Sequence, residues 1–178
     1  MLAYLFVLMA LAVHIRFVAL PFSFTPVVAA LLYFGARMSR KQLWIPVAAL
    51  AASDVYLTRV TYGYPVTADH LVTWAWYAAI ILLGGVMIKG FSPLRIGSSA
   101  LIASVSFFLL SNFAVWLVWR DLYPKTFHGL MACYVAGLPF FRTAIASDLF
   151  FTAAFFGIGY LVSSRTASQQ NVVEGRSV

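Results

Sequence analysis

Apolar residues in this chain come in long runs, and most polar residues gather at the ends of those runs or between them. Leu2 to Leu20 is apolar apart from His14 and Arg16 near its far end, and it stops at Pro21. That is close to the about 20 residues a membrane helix needs, so it predicts a first span. Pro21-Phe22-Ser23-Phe24-Thr25-Pro26 then reads as a loop or broken turn. Val27 to Ala36 predicts a short second span, closed by Arg37, Arg40 and Lys41. Gln42 to Leu57 predicts a third, with Pro46 near its start, Asp54 inside it and Arg59 at its end. After the turn chemistry of Tyr62-Gly63-Tyr64-Pro65, His70 to Ile88 predicts a fourth span and Leu94 to Trp119 a fifth.

The last apolar stretch, Phe127 to Val162, is too long for one span and contains Pro139. It predicts a short helix or re-entrant piece over Gly129 to Gly137, followed by a sixth span over Phe140 to Val162. From Ser163 the chain turns polar, which predicts a disordered tail. The fold class expected is therefore all-α: a polytopic membrane bundle of about six helices, forming one domain over 1–162.

Composition agrees with that pattern. Charged residues make up 10% of the 178 positions, against roughly 25% in a soluble domain, too few to coat a water-soluble globule. The +7 net charge gives no nucleic-acid footprint, because the basic residues stand singly or in pairs at span ends. They report topology instead. Seven basic residues (Arg37, Arg40, Lys41, Lys89, Arg95, Arg165, Arg176) fall on the side of the termini, against five (Arg16, Arg59, Arg120, Lys125, Arg142) on the other. By the positive-inside rule both termini are then cytoplasmic. Trp74, Trp76, Trp116 and Trp119 fall near the outer ends and Trp44 near the inner ones, as an aromatic belt would have them. The order of the first segment, with Arg16 after the apolar run, is the reverse of a cleaved secretory signal.

Ionisable groups within spans are costly in lipid and usually face the bundle interior or a water-filled cavity. Asp54 lies in the outer half of the third span, where Arg142 or a ligand is the expected partner. Asp148 lies nine residues past Pro139, roughly 13 Å along at helical rise, and Arg142 sits near the outer mouth of the same span. Asn112 is at comparable depth in the fifth span. A structural ion pair or hydrogen-bond lock explains such groups as well as a ligand does. Cys133, close to Tyr134 and five residues after His128, reads first as a small packing residue, and as a thiolate for a soft or borderline metal centre second. One cysteine excludes an intrachain disulfide. His14, His70 and His128 lack metal-site spacing. No phosphate-cradling glycine loop or paired-carboxylate signature occurs, so no cofactor is expected. The small residues Ala48, Ala49, Ala52 and Ser53, with Gly97, Ala100, Ala103 and Ser104, predict close helix contacts.

Asn112, Trp116, Tyr123-Pro124-Lys125-Thr126, Gly129-Leu130, Cys133-Tyr134 and Pro139-Phe140-Phe141, with Phe24-Thr25-Pro26-Val27 and Ser53-Asp54, carry a resemblance over most of the chain. The sequence resembles a family of small bacterial six-helix membrane proteins without an established function, usually given only a transport label. Its architecture is in turn similar to the substrate-capturing S subunits of energy-coupling-factor vitamin transporters. That likeness implies cytoplasmic termini and a pocket open to the outside, roofed by the loops His14 to Pro26, Arg59 to Asp69 and Arg120 to Pro139. One feature departs from it. S subunits that dock on a shared partner show Ala-x-x-x-Ala on the first helix, whereas here Ala10 is followed by His14 and Ala12 by Arg16, so energising partner subunits are in doubt.

The reading that follows is a transport protein of the bacterial cytoplasmic membrane. It would take a small, vitamin-like nutrient from outside, with Asp54, Asn112, Trp116, Tyr123, His128, Cys133, Arg142 and Asp148 as ligand-binding candidates and membrane lipid as its surroundings. A membrane enzyme acting on lipid or isoprenoid head groups, with Asp54, His128 or Asp148 as acid or base, is the alternative.

Overall fold

The computed structural model describes residues 2–17, 24–119 and 121–174. Among them are six α-helices and no strand: α1 (Leu2–Ile15), α2 (Val27–Arg37), α3 (Trp44–Tyr56), α4 (Asp69–Met87), α5 (Pro93–Val118) and α6 (Phe127–Glu174). A 3-10 turn at Arg40–Gln42 leads into α3, and a π turn at Leu57–Thr61 prolongs it. The segments Arg40–Thr61, Asp69–Met87, Pro93–Val118 and Phe127–Ser164 are each long and apolar enough to cross a membrane. The protein is a membrane helix bundle.

The helix ends follow from local chemistry. Asp69 puts an acid in the first turn of α4, where the helix dipole favours negative charge. Pro93 opens α5, where its missing N–H costs nothing. Between them Gly90 takes φ +73°, a left-handed turn conformation that side chains disfavour.

Successive helices alternate in direction. The start of α2 and Tyr77 of α4 line one space while Gly35 meets Ile81 and Gly85, so α2 and α4 run parallel. On the same logic Trp76 with Ser106 and Ser99 with Met87 make α5 antiparallel to α4. Asn112 with Cys133 and Ser104 with Asp148 make α6 antiparallel to α5.

At the centre lies α2. Its residues from Val27 through Gly35 are buried on every side, and at 11 residues it is about 16 Å long. It packs on α4 and α6 and touches α1 and α5. The α2–α4 crossing is a backbone-to-backbone approach: a methyl group on Gly35 would strike the Ile81 carbonyl, and one on Gly84 the Leu32 carbonyl. Small residues permit such contact in a bundle where lipid supplies no hydrophobic drive. The expected stripe on α5 is partly used this way, with Ala100, Ala103 and Ser104 buried, whereas nothing lies within 4 Å of the position a Gly97 side chain would take.

One expectation is corrected. The stretch before Pro139 is not a separate short helix or re-entrant piece, because α6 runs unbroken through Pro139. A proline removes one backbone donor, and here α5 supports α6 on both sides of it: Tyr134 donates to the Leu109 carbonyl at 3.0 Å and Phe141 stacks on Phe108 at 4.4 Å. Neighbouring helices sustain proline in membrane bundles in this way. Past Ser163 the described helix runs to Glu174. In the first span the helix ends at Ile15, which leaves Arg16 just beyond it; the expected continuation over 18–20 and the first half of the Pro21 to Pro26 loop lie outside the described residues.

Candidate functional site

The polar heart of the bundle forms where α1 ends. Arg16 pairs there with Asp54, in the last turn of α3, and donates through Nη1 to the Ser53 hydroxyl at 2.9 Å. Ser53 in turn donates to the Leu50 carbonyl at 2.7 Å. Trp74 and Tyr77, three apart and so on one face of α4, complete the carboxylate's shell. The Trp74 indole N–H donates to Asp54 Oδ2 at 3.0 Å, and the Tyr77 hydroxyl reaches Oδ1 at 3.5 Å. A carboxylate this buried is tolerable because a guanidinium and two neutral donors share its charge.

Beside this network lies a cavity of about 370 Å³. Its walls come from Asp54 and Thr58 on α3 and the π turn, Tyr77 on α4, Phe107 on α5 and Asp148 on α6, with Val27 and Val28 from the first turn of α2. Past Tyr77 and Asp54, α4 and the π turn run on for about another 10 Å at helical rise, whereas α1 and α2 stop at this level. The cavity is therefore a well sunk between unequal helices. Asp148 Oδ2 accepts a hydrogen bond from Ser104 at 2.6 Å, and on the rim Thr58 meets His70 Nε2 at 3.0 Å.

Of the expected site residues, Asp54 and Asp148 are thus brought to one cavity. Asp54 pairs with Arg16, not with Arg142: the latter's side chain is exposed on α6. Asn112 and Cys133 meet each other instead, between α5 and α6. The buried Cys133 thiol donates to the Asn112 carbonyl at 3.3 Å, beside a smaller space of about 190 Å³ lined by Asn112, Gly137 and phenylalanines. Trp116 braces the α5–α6 connection, its indole donating to the Pro124 carbonyl at 2.9 Å with the Lys125 ammonium 5.2 Å above its ring. Tyr123 lies half-buried in that connection, and His128 is exposed at the start of α6. None of these six lines the Asp54 cavity. Among the described residues no three of His, Cys, Asp and Glu come together as a metal cluster.

Four contributors escape a reading of the sequence. Arg16 stands out as a charge within an apolar run, and matching it with the acid at equal depth in another outer half would have found the pair. Trp74 and Ser104 carry no such mark, since an aromatic belt and a packing stripe account for them. Tyr77 has no sequence signal at all.

The family of unknown function DUF6580 matches the chain over residues 1–171. No curated protein and no solved structure matches it.

Proposed function

This chain belongs to that family of unknown function, and from its own geometry we propose that it is a transport protein, or the substrate-capturing subunit of one, for a small vitamin-like nutrient. The observation that carries the reading is the well: about 370 Å³ of space inside an apolar bundle, with two carboxyl groups and a guanidinium on its wall. A purely structural ion pair has no need of such a space, whereas small-ligand sites are typically concave, mostly apolar and furnished with a few polar groups. In this reading the nutrient enters from the outer side of the bacterial cytoplasmic membrane, with both termini cytoplasmic. Six alternating helices and the excess of basic residues near Arg37 to Lys41 and Lys89 to Arg95 support that orientation. Arg16 ties the end of α1 to α3 at the edge of the well. The likeness to S subunits of energy-coupling-factor transporters belongs to the same proposal. The missing Ala-x-x-x-Ala face argues for work without a shared partner.

The test is a panel of vitamins and other micronutrients applied to purified protein in nanodiscs and in proteoliposomes. Saturable binding that is lost in Ala144→Trp, which fills the well from its wall, is the expected result. Uptake by this chain alone identifies a solitary transporter, and binding without uptake identifies a capturing subunit. No binding across the panel, with chemical alteration of a lipid by the purified protein, overturns the reading in favour of an enzyme acting on lipid head groups.

A further inference from the structure

The two acids of the well are not equivalent. Both oxygens of Asp54 are engaged, Oδ1 by Arg16 and Tyr77 and Oδ2 by Trp74. Asp148 is 95% buried, and among the described residues its hydrogen-bond partner is the Ser104 hydroxyl on Oδ2. The ion pairs of the described residues join Arg16 to Asp54 and Asp69 to His70, so none reaches Asp148. A carboxyl group that deep in an apolar bundle calls for a counter-charge or a proton. Trp76, Tyr77, Phe107 and Tyr62 line the same well, and aromatic faces attract cations.

Resting on the capture reading, we infer that the ligand is a small organic cation, an ammonium or amidinium whose charge lies against Asp148 and whose apolar part lies against these rings. An anion finds no equivalent partner, because Arg16, the basic residue of the lining, is already bound to Asp54 and Ser53. Size sets a second limit. At about 370 Å³ the well lies at the small end of the range for ligand pockets, which suits a simple amine.

Matched probes separate charge from shape. Phenethylammonium, phenethyl alcohol and phenylacetate form one set; choline, 3,3-dimethylbutanol and 3,3-dimethylbutanoate form another. Titration calorimetry on the full chain in nanodiscs is expected to show, in at least one set, the cation binding tenfold or more tighter than its neutral isostere, with no binding of the anion. Asp148→Asn keeps the shape and removes the charge. It should weaken the cation at least tenfold and leave the neutral isostere unchanged. Should that variant fail to fold, the ranking on the wild-type protein decides. Equal binding of cation and neutral isostere, preference for the anion, unchanged cation affinity in Asp148→Asn, or silence from every probe overturns the assignment. If the micronutrient panel then still reveals saturable capture of a neutral or anionic compound, the transport reading stands without its cation; if it too is silent, both fall.

Discussion

The two ends of the bundle solve opposite problems. Toward the end that holds Gly35 and Tyr33, backbones touch at the α2–α4 crossing, Tyr33 packs edge-on against Phe156 at 4.9 Å, and Tyr4 both meets the Tyr33 ring at 5.5 Å and donates to the Phe155 carbonyl at 2.9 Å. Toward the end that holds Arg16, the same helices surround a well, and polar bonds join close packing in holding them: Arg16 to α3, Trp74 and Tyr77 from α4, Ser104 to Asp148. The packed end cannot yield without breaking steric contacts, because backbone atoms have no rotamers to change. The polar end can exchange partners. The proposed transport role calls for both a fixed scaffold and a half that can rearrange, and the contrast between the two ends is where that proposal is open to test.

The sharpest way to break this contrast is to remove one charge. Arg16→Met leaves Asp54 buried with only Trp74 and Tyr77, and orphaning a buried ion in this way costs about 3–5 kcal/mol. Unfolding of the purified protein in mixed detergent should show that loss, and the double variant Arg16→Met, Asp54→Leu should recover most of it. Next comes the packed end. Gly35→Ala drives a methyl into the Ile81 carbonyl, so a loss near the ~3 kcal/mol upper range for overpacking is expected, with no specific effect on ligand affinity in whatever protein still folds. If Gly35→Ala were neutral, the crossing would be looser than described and the scaffold argument would fail.

A smaller effect is expected from Trp74→Phe, which keeps a six-membered aromatic ring and deletes the N–H to Asp54 along with the rest of the indole's five-membered ring. Hydrogen bonds to charged groups contribute about 1.5–3 kcal/mol, and the same unfolding assay reads it. The smallest is Arg142→Gln. With its side chain exposed and Asp54 paired elsewhere, stability should stay within about 0.5 kcal/mol of wild type; a large loss would return Arg142 to the polar network.

The spans themselves were legible because lipid forces one pattern: observed α4 and α5 lie within a residue of the apolar runs His70 to Ile88 and Leu94 to Trp119. Pro139 is ambiguous in sequence because a proline's effect depends on what lies beside the helix, and α5 contacts α6 on both sides of it. Depth was legible too, since Asp54 and Asp148 both stand in the well's wall. Which way a side chain points around its helix was not. Sequence depth alone therefore matches Asp54 with Arg142 as readily as with Arg16, and sets Asn112 and Cys133 beside the acids although they meet each other across the α5–α6 interface. The short run of α2 showed in its length, but its reason, a helix enclosed on all sides by its neighbours, emerges only from packing.

Access to the well is the claim on which the rest depends, and it is directly measurable. A single cysteine placed by Thr58→Cys in a Cys133→Ala background lines the cavity and can be challenged with a membrane-impermeant maleimide in intact cells and in inside-out vesicles. Labelling in intact cells, slowed by saturating ligand, is the result this account predicts. Labelling only in inside-out vesicles would invert the orientation, and an absence of labelling on both sides would contradict the existence of a water-accessible well.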